Sequence, residues 1–158
     1  GGVLAGTVLK GIEDELSQMV ALAFFIPLLT GMGGNVGTQS STLTVRGLAT
    51  GEIAGHEVWL TLLKEGLSGL IIGAICGGIV GILAVLLFKN WVLGVVVGAA
   101  LVANMVTAAT MGTLVPLVFK RVGIDPAVAS APFISTSIDI TGLLIYSTLA
   151  SALIAYLV

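Results

Sequence analysis

The charged residues of this chain are gathered in short patches, and the runs between them are apolar and long. Residues 66–88 and 90–119 hold no Asp, Glu, Lys or Arg, and about 20 apolar residues are enough to cross the hydrocarbon core of a bilayer. Charged residues make up 9% of the 158 positions, against roughly 25% in soluble domains. The chain is therefore predicted to be an all-α, polytopic membrane helix bundle. A formal net charge of −2, spread over those patches, offers no basic surface for nucleic acid. Cys76 is the sole cysteine and sits in an apolar run. It reads as a packing residue, with no second thiol for a disulfide or a thiolate metal site. Gly1 to Leu9 lacks the basic start of a cleavable signal peptide.

In chain order, Gly1 to Leu9 reads as the tail of a truncated first helix, and Lys10 to Glu15 as a water-exposed turn. Complete spans are expected over Leu16 to Ala49, Val58 to Phe88, Trp91 to Phe119 and Ala127 to Val158, five helices in all. Gly69, Gly73, Gly77 and Gly81 recur every four residues, with Gly66 close by. That spacing marks one helix face on which another helix can approach closely. Asn104 and Thr107 share a face and suit hydrogen bonding between helices, and Pro116 is a candidate kink. Asp125-Pro126 resembles a helix start, and His56 reads as a solvated connector residue. Arg46, Lys64, Lys120 and Arg121 fall on one side of the membrane and Lys10 and Lys89 on the other. The excess of basic residues assigns the first side to the cytoplasm and the C-terminus to the outside.

One stretch breaks the apolar pattern. Pro27 to Thr42 is rich in glycine and uncharged polar residues where hydrocarbon-facing side chains should continue. Such a backbone is tolerated at membrane depth only where protein buries it or where it lines a watery path. Gly31, Gly33, Gly34, Asn35, Thr38 and Thr42 are the candidate wall of that path. If the segment is helical, Gly34, Thr38 and Thr42 form a narrow oxygen-bearing stripe, while Asn35 and Gln39 beside it suit hydrogen bonds to a neighbouring helix. If it is broken at Gly31 to Gly34, freed carbonyls would face the ion.

The second element is Asp139, the one carboxylate inside the last apolar segment. An ionised carboxylate at that depth costs several kcal/mol unless it meets water or a cation, with estimates from about 2.5 upward. No Lys or Arg at comparable depth can pair with it, which leaves a bound cation or a proton. Ser135 and Gly142, one turn to either side, can add oxygen acceptors. An all-oxygen set favours hard ions such as Mg²⁺, Ca²⁺, Na⁺ or K⁺. One carboxylate is too little for a divalent ion, whereas a two-fold dimer would place two around one axis. A proton- or Na⁺-coupled secondary transporter is the alternative. An intramembrane protease is disfavoured, because only Asp139 is deep and His56 lies in a connector.

Gly-Met-Gly-Gly-Asn-Val-Gly-Thr-Gln-Ser at residues 31–40, followed by Arg46-Gly47-Leu48-Ala49, resembles the signature of the MgtE magnesium transporters. Asp125-Pro126-Ala127 and Asp139-Ile140-Thr141-Gly142-Leu143-Leu144-Ile145-Tyr146 are similar to that family's last helix. The resemblance implies a homodimeric Mg²⁺ channel in the cell membrane, five helices per subunit, with a pore on the two-fold axis. It requires no enzyme activity and no cofactor apart from Mg²⁺ as the transported ion. It makes Asp139 the ion-holding aspartate, Ser135 the donor of a backbone carbonyl and Asp125 an acidic residue at the cytoplasmic mouth. Gly34, Thr38 and Thr42 fall on pore-facing positions. Thr38 and Ala131 stand where some members carry Asn. Residues 1–158 correspond to a single transmembrane domain, and the family's cytoplasmic N-terminal and CBS regions are expected to be absent.

Overall fold

The computed structural model describes residues 2–11, 20–53, 57–128 and 131–157. The acidic turn at Glu13 to Glu15 and His56 lie outside the described residues. Among the described residues the α-helices are, in chain order, α1 (Gly2–Gly11), α2 (Ile26–Thr50), α3 (Glu57–Phe88), α4 (Trp91–Arg121) and α5 (Ala131–Leu157). Short 3₁₀ segments precede α2 (Val20–Phe25) and α5 (Pro126–Val128). Among the described residues four stretches are long and apolar enough to span a membrane: Val20–Thr50, Val58–Phe88, Trp91–Arg121 and Ala131–Leu153. The chain is thus a membrane helix bundle, with no strand among the described residues.

Local sequence sets the helix ends. Pro27 sits in the first turn of α2, where its missing N–H costs no helical bond. Gly51 ends that helix in the left-handed region at φ 79°, a conformation that side chains with a Cβ resist. The chain then folds back, and the Ile53 N–H donates to the Gly47 carbonyl at 3.1 Å. Asn90 caps α4, its Oδ1 accepting from the N–H groups of Val92 and Leu93 at 3.0 and 3.1 Å. Between its ends α2 runs unbroken through Gly31 to Gly34, so the interrupted alternative is not adopted. Likewise α4 continues as helix through the buried Pro116.

The centre of the bundle is α4, which packs against α2, α3 and α5. Glycine makes the α3–α4 contact possible. A Cβ placed on Gly73 would lie 2.9 Å from Val102 Cα, one on Gly77 2.6 Å from the Gly98 carbonyl oxygen, and one on Gly81 2.8 Å from that of Gly94. The four-residue glycine spacing on α3 is therefore a helix-packing seam, matched by Gly94 and Gly98 on α4. The outward face of α3 is apolar, with Leu63, Leu67, Ile71, Ile75, Ile82 and Leu86 all exposed, as a lipid-facing surface requires. At the Lys89 end, Phe88 meets Phe24 and Phe25 at ring-centroid distances of 5.8 and 5.9 Å. There the buried Tyr146 hydroxyl donates to the Leu22 carbonyl at 2.9 Å, tying α5 to the segment before α2. The short α1 rests on α5.

Gly77→Leu is expected to lower stability by about 1–3 kcal/mol, the range for overpacking, because the obstructing atom is backbone and cannot move aside. Gly78→Leu, with nothing within 4 Å of its Cβ position, should leave the thermal unfolding midpoint in detergent unchanged; equal losses in both would remove the seam as the cause.

Candidate cation-binding groove

Two stripes of four-residue spacing face each other across α2 and α5. Thr30, Gly34 and Thr38 stand on one side and Ala131, Ser135 and Asp139 on the other. Between them lies a cavity of about 510 Å³, also lined by Gly31, Asn35 and Pro132. Past Thr38 and Ala131 it adjoins a cavity of about 390 Å³ that includes Thr42, Arg46 and Ala127. Val45, Ala49 and Ala127 in turn belong to a third cavity, of about 270 Å³, that reaches Asp125 and Lys120. The shared wall residues make one groove, running from the middle of the bundle to the end where Arg46, Lys120 and Arg121 gather.

The polar atoms of this groove are mostly acceptors. Thr38 Oγ1 donates to the Gly34 carbonyl at 2.9 Å, Thr42 Oγ1 to that of Thr38 at 2.8 Å and Ser135 Oγ to that of Pro132 at 3.3 Å. A hydroxyl has one proton and two lone pairs. With each proton committed to its own helix, the lone pairs are what remains for a guest. Asp139 is half-buried, and among the described residues no ion pair or hydrogen bond engages its carboxylate. Gly34 leaves space beside it, since a Cβ there would come to 3.8 Å from Asp139 Oδ1. No three His, Cys, Asp or Glu side chains cluster among the described residues. One chain thus offers one carboxylate and a set of neutral oxygens, a surface suited to the outer waters of a cation.

Asp139, Ser135, Gly31, Gly34, Asn35 and Thr38 come together in the first cavity, and Thr42 stands in the second. Asp125 is remote from them at the open end. Its Oδ1 accepts from the Ala127 N–H at 2.9 Å and so caps the 3₁₀ turn. Gly33 does not line the groove: it is buried about 100° round α2 from Gly34, against Asn104 and Ile138. Gly142, expected near the carboxylate, also faces Asn104. Asn35 and Gln39 are exposed and make no side-chain bond to a neighbouring helix among the described residues. Sequence reasoning missed Thr30 and Pro132. Thr30 continues the Gly34–Thr38–Thr42 spacing one turn earlier, and Pro132 immediately follows the first residue of the facing stripe. It also missed the bond from Ser40 Oγ to Glu65 Oε2 at 2.7 Å, which ties α2 to α3.

Residues 26–149, which contain both walls of the groove, match the family MgtE, described as divalent cation transporter. The chain belongs to the MgtE family. Similar proteins include the magnesium transporter MgtE of Bacillus subtilis, 37% identical over 153 residues, and that of Enterococcus faecalis, 38% identical over 157. The magnesium transporter MgtE of Thermus thermophilus is 37% identical over 153 residues. These matches cover 97%, 99% and 97% of this chain and 34%, 35% and 34% of those proteins. The chain therefore spans about a third of the length of the relatives it matches.

In this MgtE-family chain the spacing of the groove walls is set from behind by Asn104. Its side chain is fully buried, and Nδ2 donates to the Leu29 carbonyl of α2 at 2.7 Å. A Cβ on Gly142 of α5 would lie 2.6 Å from Oδ1, so the amide is wedged between the two walls. Oδ1 has no hydrogen-bond partner among the described residues. Removing the amide in Asn104→Ala forfeits the bond, worth about 0.6 and at most about 1.7 kcal/mol inside membranes, and opens a void. The expected outcome is a clear drop in the thermal midpoint, with Asn35→Ala, which breaks no such bond, as the unchanged control.

Proposed function

We propose that the chain conducts Mg²⁺, and other divalent cations of like size, through a pore formed where the α2–α5 grooves of two copies face each other across a two-fold axis. The observation that carries this reading is the Asp139 carboxylate, unpaired among the described residues, in an acceptor-rich groove of a chain whose family is described as divalent cation transporter. Curated relatives named magnesium transporter support the choice of ion. Mg²⁺ holds an octahedral shell and sheds its water reluctantly. Six waters at about 30 Å³ each are well within the first cavity's 510 Å³. The ion then passes largely hydrated, with its waters donating to Ser135, Thr38 and Asp139. Two copies of Asp139 would supply the charge of a divalent ion where one supplies half. Asp125 serves as an acidic residue at the cytoplasmic mouth, and the C-terminus lies outside.

Mg²⁺ uptake into vesicles, with membrane potential clamped and Na⁺ and pH gradients collapsed, tests the proposal. Persistent flux in the parent and its loss in folded Asp139→Ala are expected; a requirement for either gradient would point to coupled transport instead. Gly34→Ala should fold, because its nearest neighbours would be Ser135 Cβ at 3.5 Å and Asp139 Oδ1 at 3.8 Å, both ordinary contacts. It narrows the space beside the carboxylate, so flux should fall severalfold with the melting behaviour retained. Undiminished flux in Gly34→Ala would take the path out of this groove.

A further inference from the structure

A second cavity of about 510 Å³ lies apart from the Asp139 cavity, between the end of α2, the turn after it, the start of α3 and the end of α4. Its wall is apolar, from Leu48, Ile53, Val58 and Leu114, and two cations, Lys120 and Arg121, complete it. Among the described residues no acidic side chain lines it. The wall is held in place locally. The left-handed Gly51 turns the chain back, the Ile53 N–H bonds the Gly47 carbonyl, and the Ile53 side chain packs on the face that Gly47 leaves bare. Lys120 Nζ donates to the Leu48 carbonyl at 3.4 Å, across to the last turn of α2. Arg121 has no hydrogen bond or ion pair among the described residues, so its five N–H donors are open.

Charge and location identify an occupant. Lys120 and Arg121 form the last turn of a membrane-spanning helix, where lipid headgroups lie, and Leu114, one to two turns deeper, is exposed. Basic pockets between membrane helices at this level suit anionic headgroups. We propose that this cavity seats one anionic phospholipid, its phosphate on Arg121 and Lys120 and the upper part of an acyl chain against Leu114, Ile53 and Leu48. Free phosphate would use the cations and leave the apolar wall idle. The site borders the open end of the groove, sharing Leu48 and Lys120 with its third cavity, and its occupancy does not require that the chain conduct anything.

Native mass spectrometry of the full chain in non-ionic detergent tests this, with equimolar phosphatidylglycerol and phosphatidylcholine carrying identical oleoyl chains. Retention of phosphatidylglycerol about tenfold above phosphatidylcholine is expected from two basic contacts. Arg121→Gln breaks no bond seen in the fold and should remove most of that preference, while Lys89→Gln at the opposite end should not. Leu114→Trp keeps both cations and obstructs the apolar wall, and should lower retention of phosphatidylglycerol. Equal retention of the two lipids would overturn the proposal, as would a preference that survives both Arg121→Gln and Leu114→Trp. Full displacement by glycerol 3-phosphate would also overturn it, by reducing the site to one for simple anions.

Discussion

The groove depends on how closely α2 can lie against α4. A Cβ on Gly112 would overlap the Gly37 carbonyl, and one on Gly37 would lie 3.2 Å from the Ala108 carbonyl oxygen, so these helices meet at backbone distance. Bare faces are what permit such contact where lipid tails are as apolar as the side chains and no hydrophobic force presses helices together. The contact also fixes the rotation of α2. With Gly33 and Gly37 turned inward, the stripe one residue on, at Gly34 and Thr38, is turned toward α5. Substituting the inner glycines would therefore displace the groove even though they touch none of its contents.

Asn104 adds direction to this packing. Small residues allow approach but do not fix where two helices meet along their lengths; a hydrogen bond to one carbonyl does. The bond to Leu29 lies between two apolar clusters. One is built on Leu29, Val96, Leu101 and Met105, the other on Ala108, Ile134 and Ile138. A polar tie between two dry regions is costly to misplace, because an unsatisfied amide in a low-dielectric interior has no water to turn to.

The groove also illustrates how helices can carry an ion path without breaking. Threonine and serine spend their protons on carbonyls of the preceding turn, a habit that weakly disfavours them in helices. Here it leaves each hydroxyl oxygen presenting lone pairs alone. The backbone stays bonded throughout, as the membrane requires, and the acceptor character comes from side chains at four-residue intervals. Among the described residues Asp139 supplies the only full charge at that level of the groove.

The sequence by itself determined the membrane class, three of the spans to within a few residues, the glycine seam of α3 and most of the α2 and α5 residues that share the groove. These follow from one-dimensional facts: length and polarity against bilayer thickness, and four-residue spacing against a 3.6-residue turn. What only the tertiary structure decided was rotation and pairing. Gly33 and Gly34 are adjacent and chemically identical, yet one packs on α4 and the other faces Asp139, because about 100° of helix rotation separates them. Gly142 was placed near the carboxylate by its spacing from Asp139, and the neighbouring Asn104 claimed it. The partners of Asn104 on α2, of Ser40 on α3 and of Tyr146 before α2 lie 75, 25 and 124 residues away. No local pattern encodes such pairs; they exist only once the helices have chosen their neighbours.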